Sequence, residues 1–220
     1  MDEVKNIIRA LEDYFGIPKI RKPKDPLSEL VFTILSQNTT DVNRDRAYSN
    51  LRSRFPRWAD VMNADAKDIE EAIRVGGLGH QKSFRIKAIL EEIHRERGDL
   101  NLDHLRGMEY QEVKDRLLSF LGVGLKTASI VMLFSLGRPA FPVDTHIFRV
   151  GKRLGLIPAD LDANGAHEVM GECVPEDKYV SFHINLIRLG REICKPKSPK
   201  CDKCPVLSFC PFGREILEKF

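Results

Sequence analysis

The sequence has 220 residues, of which 42% are hydrophobic and 30% charged, enough to bury a sizeable core at the border between one domain and two. No apolar run approaches the roughly 18 residues of a membrane span, and the charged stretch 1–15 resembles neither a signal peptide nor an anchor. The net charge of +3 is too small, by itself, to indicate a nucleic-acid partner. We therefore expect a cytoplasmic enzyme with no membrane partner.

Apolar residues recur at helical spacing in nearly every segment, beginning with 1–15 and 27–35, and no convincing strand alternation appears. Further helices are predicted at 41–54, 66–75, 82–97, 110–120, 125–136, 145–155, 164–173 and 179–192. The sequence thus predicts an all-α protein of about ten short helices.

Two proline-rich joints, at 18–26 and 139–142, are the places where the chain is expected to pass between lobes. They bracket a central block and leave both ends of the sequence outside it. We therefore predict one domain over 20–138 and a second made of 1–19 with 139–220.

The most informative stretch, 117–128, reads Leu-Leu-Ser-Phe-Leu-Gly-Val-Gly-Leu-Lys-Thr-Ala. Gly122 and Gly124 permit a tight reversal between two helices, and they let backbone amides approach a DNA phosphate. An ordinary turn between helices explains the same glycines. Lys126 falls in the first turn of the second helix, where the helix dipole disfavours an ammonium ion and favours a neutral amine nucleophile. A solvated surface lysine is the alternative.

Asp144 follows an apolar Pro-Val pair and opens the next predicted helix. Its simplest role is an N-cap. A carboxylate in this position could also orient or deprotonate a nucleophile, and stabilise the positive charge that develops on a deoxyribose ring as its base departs. Both roles can coexist.

Four of the five cysteines fall within 17 residues, and Cys173 stands apart. Such a tight cluster favours a metal centre over disulfide bonds. Four thiolates suit either zinc or an iron-sulfur cluster, and the chemistry of the spacing does not separate the two. The candidate ligands are Cys194, Cys201, Cys204 and Cys210.

Four features of the sequence form one pattern: the Leu-Gly-Val-Gly-Leu-Lys run ending at Lys126, the Val-Asp-Thr-His-Ile-Phe-Arg-Val run containing Asp144, the stretch 34–41 and the cysteine cluster. Together they resemble the endonuclease III family of DNA glycosylases. The resemblance covers nearly the whole chain. It implies a two-lobed helix-hairpin-helix glycosylase fold, with a six-helix barrel domain and a second domain that carries an iron-sulfur cluster.

The resemblance also implies the chemistry. A lysine at the position of Lys126 marks bifunctional members, which expel the base by amine attack at C1′ and then cut the strand through a Schiff base by β-elimination. The matching aspartate is Asp144. The six-two-five spacing of the four cysteines implies a 4Fe-4S cluster with a structural and DNA-binding role.

Three segments match DNA-contacting parts of the family. Polar residues of the first motif enter the gap that a flipped base leaves, the glycine-rich loop 76–82 provides an apolar wedge, and the hairpin grips phosphate. Many bacterial members have glutamine where this chain has asparagine at position 38, which puts the opposite-base preference in question. The predicted DNA-binding residues are Gln37, Asn38, Leu78, His80, Gly122, Gly124 and Thr127.

The resemblance implies that the partner is double-stranded DNA with a damaged base or an abasic site, bound by a monomer located in the cytoplasm, or in the nucleoid or nucleus with the DNA. Oxidised pyrimidines are the expected substrate. The run 117–125 together with 140–145, and the Gln37-Asn38 pair, also resemble the glycosylase core of plant 5-methylcytosine demethylases. A glycosylase for mismatches or methylated pyrimidines, and a non-catalytic iron-sulfur DNA-binding module, therefore stay open as alternatives.

Overall fold

A computed structural model of the protein describes residues 2–19 and 24–218. Within these ranges the chain forms α-helices joined by short 3₁₀ turns and contains no β-strand, which confirms the predicted all-α class. None of the described helices has the length and apolar character needed to cross a bilayer.

The described chain divides into two compact units, which we call the central unit (24–137) and the terminal unit (2–19 together with 138–218). The helices of the central unit are α2 (Pro26–Leu35), α3 (Asp41–Arg54), α4 (Trp58–Asn63), α5 (Ala66–Ile73), α6 (Gly79–Arg97), α7 (Tyr110–Ser119) and α8 (Leu125–Phe134). Those of the terminal unit are α1 (Asp2–Phe15), α9 (Thr145–Arg153), α10 (Gly165–Cys173), α11 (Tyr179–Glu192) and α12 (Pro211–Glu218).

Two helices, α4 and α12, were not predicted. With six residues, α4 is too short to give a periodic signal, and α12 begins at a proline that reads as part of the cysteine loop. Helix α6 also begins three residues before its predicted start at 82, because Leu78 caps it in a left-handed conformation with φ 51°.

Helix α2 is the core of the central unit. Asp25 caps its start by accepting a hydrogen bond from the Ser28 N–H at 2.9 Å, and a proline occupies the first turn. Apolar residues cover almost every face of the helix and are buried, and α2 packs against α3, α6 and α8. A helix that is apolar all round must be enclosed by others, so the end of α2 is fixed within this unit.

In the terminal unit, α1 packs on α11, which packs in turn on α9. The buried face of α1 is Val4, Ile7, Ile8 and Leu11. Beside that face, the Glu12 carboxylate accepts hydrogen bonds from Lys178 Nζ at 3.1 Å and from the Ser181 hydroxyl at 2.7 Å. The start and the end of the chain thus share one core.

Candidate active site and cysteine cluster

The predicted hairpin lies between α7 and α8. Gly122 has φ +73°, the left-handed region that glycine adopts without strain, and the Val123 N–H donates to the Phe120 carbonyl at 3.1 Å to close the turn. Gly124 is the N-cap of α8 and brings no side chain to cap it. The first amides of α8 therefore have no intrahelical acceptor and no side-chain cap, which is the arrangement that binds an anion.

Lys126 lies in the first turn of α8, half-buried. Among the described residues, no hydrogen bond or ion pair engages its amine. The neighbouring Thr127, which was predicted to bind DNA, is only 4% exposed, so little of its surface is open to a DNA strand. The hairpin thus offers one lysine amine that has no structural partner in the described chain.

A chain of polar contacts joins the hairpin to the loop after α2. The Gln37 side-chain amide donates to the Gly122 carbonyl at 3.5 Å, and Arg85 Nη1 donates to Gln37 Oε1 at 3.0 Å. A β-carbon on Gly122 would lie 2.6 Å from Arg85 Nε, so Arg85 packs directly against the turn. Arg85, which was not among the predicted site residues, connects Gln37 to the hairpin.

The two predicted wedge residues lie in neighbouring loops of the central unit. Asn38 is exposed just after α2, and Leu78 is 46% exposed just before α6. A β-carbon on Gly77 would lie 3.9 Å from the Asn38 carbonyl oxygen, so the loops are in near contact. His80, the other predicted residue of this loop, is exposed, and its Nδ1 lies 3.4 Å from a Glu70 carboxylate oxygen.

Lys82 is a second residue of this region that was not predicted. It is 1% exposed, and its Nζ donates to the carbonyls of Leu35 and Gly76, each at 2.9 Å. Burial in this surrounding lowers the pKa of Lys82 to about 8. The pattern contains one signal for it, because position 82 lies on the same face of α6 as the buried Ile86 and Ile93.

Asp144 is the N-cap of α9 in the terminal unit. Its Oδ1 accepts a hydrogen bond from the Ile147 N–H at 2.8 Å, and the residue is half-buried. The neighbouring His146 has a lowered pKa because burial disfavours its charged form more than the Asp144 carboxylate favours it. Asp144 therefore makes the N-cap hydrogen bond. Its other carboxylate oxygen has no hydrogen bond to the described residues.

All four clustered cysteines line one cavity in the terminal unit, with about 270 Å³ of empty space when its open mouth is counted. Among the described residues, no group of three or more His, Cys, Asp or Glu side chains is spaced for a single metal ion. Burial and the neighbouring sulfurs raise the pKa of Cys204 to about 11, and the pKa values of Cys201 and Cys210 are raised for the same two reasons. Binding of a metal group by these thiols must therefore release protons.

Helix α9 holds the cysteine loop. Arg149 Nη2 donates to the Cys194 carbonyl at 3.1 Å, while Arg153 Nη1 lies 3.2 Å from Cys194 Sγ and donates to the Lys195 carbonyl at 2.8 Å. The Gly213 N–H donates to Cys210 Sγ at 3.3 Å. The lysines between the cysteines are exposed, so the loop presents positive charge to solvent: they are Lys195, Lys197, Lys200 and Lys203.

Comparison with known proteins identifies relatives over most of the chain. The family model described as "HhH-GPD superfamily base excision DNA repair protein" matches residues 31–175. A protein named as a candidate DNA glycosylase from Arabidopsis thaliana is 41% identical over 192 residues, which span 83% of this chain and 66% of the plant protein. Endonuclease III from Thermotoga maritima is 32% identical over 197 residues, covering 90% of this chain and 88% of that one.

Solved structures give the same result. An endonuclease III in a non-covalent complex with DNA matches with a TM-score of 0.84 and 26% identity, covering 99% of this chain and 98% of that one. A trapped covalent endonuclease III–DNA intermediate matches with a TM-score of 0.83 and 26% identity over 98% of each chain.

Proposed function

Because the chain belongs to the HhH-GPD superfamily of base excision DNA repair proteins and is an endonuclease III-like DNA glycosylase, we propose that it removes a damaged pyrimidine from duplex DNA and then cuts the strand at the abasic site. The observation that carries the proposal is Lys126, a lysine without a partner in the described chain, directly after a glycine hairpin whose amides are free for phosphate. The protein would act as a monomer on double-stranded DNA.

In the proposed reaction, the Lys126 amine attacks C1′ of the flipped nucleotide and gives up a proton, and the base leaves with the electron pair of the N-glycosidic bond and takes up a proton. Opening of the sugar ring then gives an imine between C1′ and Nζ. Loss of a C2′ proton and departure of the 3′ phosphate break the strand by β-elimination. The hairpin would hold the adjacent phosphate so that the amine meets C1′ in a reactive geometry.

We assign to Asp144 the carboxylate role in this reaction. Its negative charge would stabilise the positive charge that builds up on the deoxyribose as the base departs, and it could accept the proton that the attacking amine must lose. One of its oxygens caps α9, which fixes the orientation of the group and leaves the other oxygen for chemistry.

We propose that Cys194, Cys201, Cys204 and Cys210 hold a 4Fe-4S cluster. Two observations support this: the four thiols line one cavity, and their spacing is that of the cluster loop in the endonuclease III family. The cluster would order the loop and so present its four lysines to the phosphate backbone. Base removal itself would use no group of this loop.

The base specificity is proposed to be for oxidised pyrimidines. The test is a panel of duplexes that carry oxidised, deaminated or methylated pyrimidines or a mismatched thymine, with free base and strand breaks measured separately. Release of an oxidised base together with direct strand cleavage supports the proposal. Base release with breaks only after alkali would identify a monofunctional glycosylase, and duplex binding without base release would identify a non-catalytic DNA-binding protein.

A further inference from the structure

The two wedge residues share an unusual backbone conformation. Within the described residues, Asn38 and Leu78 are the only non-glycine residues with positive φ, and both have φ 51°. This region is costly for residues with a side chain, and leucine lacks the polar group through which asparagine offsets part of the cost. Two such residues on adjacent loops require that the surrounding structure holds both backbones in place.

Lys82 contacts the backbone of both loops. Its Nζ donates to the Leu35 carbonyl, at the end of the helix that precedes Asn38, and to the Gly76 carbonyl, two residues before Leu78. Its own N–H donates to the Leu78 carbonyl at 3.0 Å. The Lys82 amine therefore links the last residue of α2, which leads into the Asn38 loop, to the Leu78 loop, and the Lys82 N–H adds the first helical hydrogen bond of α6 to Leu78.

The chemistry of a lysine suits this position. The Leu35 carbonyl is among the last of α2, which have no intrahelical donor, and the end of a helix favours a positive charge. An ammonium group can donate to both carbonyls at once, which no apolar side chain can do. Lys82 lies on the apolar face of α6, so its burial carries a desolvation cost that these hydrogen bonds and the end of α2 offset.

We propose that Lys82 is a positioning residue that holds the Asn38 and Leu78 loops in one register, so that both side chains enter the duplex together when a nucleotide leaves the stack. This inference rests on the proposed glycosylase function. Lys82 itself touches neither the DNA nor the sugar. Its effect is on the discrimination between intact DNA and DNA whose base stack is interrupted.

The test compares Lys82→Met with Lys87→Met. Lys87 lies on the same helix, and its Nζ also donates to two backbone carbonyls, those of Met62 at 2.8 Å and Ala64 at 2.7 Å, away from the wedge loops. The probes are an intact duplex and the same duplex with one nucleotide replaced by a tetrahydrofuran abasic analogue. The measured quantity is the ratio of their dissociation constants at one fixed salt concentration.

We expect Lys82→Met to reduce the preference for the abasic analogue by about 10- to 100-fold, as misplaced contact groups do, and Lys87→Met to leave it within about twofold. A folded Lys82→Met protein with the wild-type preference would overturn the inference. If the unaltered protein shows no preference for the analogue, the proposed function fails; if it shows one that Lys82→Met retains, only the role of Lys82 fails.

A second measurement covers the case in which Lys82→Met does not fold. Asn38→Ala, Leu78→Ala and the double variant are compared in the otherwise unaltered chain with the same two duplexes. Each single variant reduces the preference for the analogue by some factor. If the two wedge side chains enter together, the factor for the double variant should be smaller than the product of the two single factors by about fivefold or more. Independent, multiplicative losses would contradict a shared register.

Discussion

The guanidinium of Arg85 fills the space beside Gly122, where a β-carbon would lie 2.6 Å from its Nε. The same side chain donates to Gln37, whose amide reaches the Gly122 carbonyl. Gly122 is therefore required both by its backbone conformation and by the close approach of Arg85, whereas the space around Gly124 is open within 4 Å. The two glycines of the hairpin serve different purposes.

Alanine at each glycine separates these purposes. We expect Gly122→Ala to lower the free energy of unfolding by about 1–2 kcal/mol, because it places a β-carbon at positive φ and displaces Arg85. Gly124→Ala should cost less than about 1 kcal/mol. It should nevertheless weaken duplex binding about tenfold, because the added methyl group stands where a phosphate would approach. Urea denaturation and fluorescence anisotropy measure the two effects, and equal stability losses would contradict the assignment.

Removal of the proposed nucleophile should abolish covalent capture of DNA. With borohydride and a duplex that contains an abasic site, we expect Lys126→Ala to form the trapped adduct at least about a hundredfold more slowly than the unaltered chain. Lys114→Ala, which alters a lysine of α7, is the control and should trap normally. Equal trapping by the unaltered chain and Lys126→Ala would assign the nucleophile to another residue.

The two roles of Asp144 can be separated because asparagine caps helices as well as aspartate does. We expect Asp144→Asn to keep the stability of the protein while base release slows about 10²- to 10⁴-fold. Asp144→Ala should slow base release to a similar extent and should, in addition, lower the free energy of unfolding by about 1 kcal/mol. If Asp144→Asn releases base at the normal rate, the residue is a helix cap alone.

The cysteine cavity should bind iron and inorganic sulfide. Protein purified without oxygen is expected to be brown, with broad violet-blue absorption and about four iron atoms per chain, as a 4Fe-4S cluster requires. Cys204→Ala should lose the colour, and Cys173→Ala, which alters the cysteine outside the cavity, should keep it. Colourless protein that contains zinc would contradict the assignment of a 4Fe-4S cluster and would show that the cysteines bind a single metal ion.

The buried amine of Lys82 predicts a pH effect on stability. Its pKa is about 8 in the folded protein and returns to about 10.5 on unfolding, so the unfolded state binds more protons between these values. The free energy of unfolding, measured relative to Lys82→Met, should therefore rise with pH across this window, by at most about 3 kcal/mol. Urea denaturation at several pH values measures the difference, and a constant difference would show that Lys82 keeps an ordinary pKa.

Local patterns predicted the elements that bury long apolar faces, and the family and the all-α class are confirmed. The predicted bounds of α3 and α11 are the observed ones, and α11 is long enough to repeat its apolar spacing, whereas α3 buries only Ala47 and Leu51. Helix α4, with six residues, has too few turns to show a repeated apolar spacing. The roles of Lys126, Asp144 and the four cysteines stay predictions that the experiments above test.

The site residues that were not predicted, Arg85 and Lys82, contact residues that are distant in the sequence or become neighbours only in the fold. The hydrogen bond from Gln37 to Gly122 joins positions 85 residues apart, and no local pattern encodes it. The burial of Lys82 has no sequence signal of its own, because lysine is normally a surface residue. Its position on the apolar stripe of α6 was visible, but the carbonyls that satisfy its amine become neighbours only when the chain folds.

The terminal unit joins α1, at one end of the chain, to α11 and the cysteine loop near the other end. On the ribosome, the central unit is complete first, although α1 is synthesised before it. Helix α1 must wait, with its apolar face exposed, until α11 emerges. The four cysteines follow α11 in the chain, so the proposed cluster can assemble only after the helix on which α1 docks has been made.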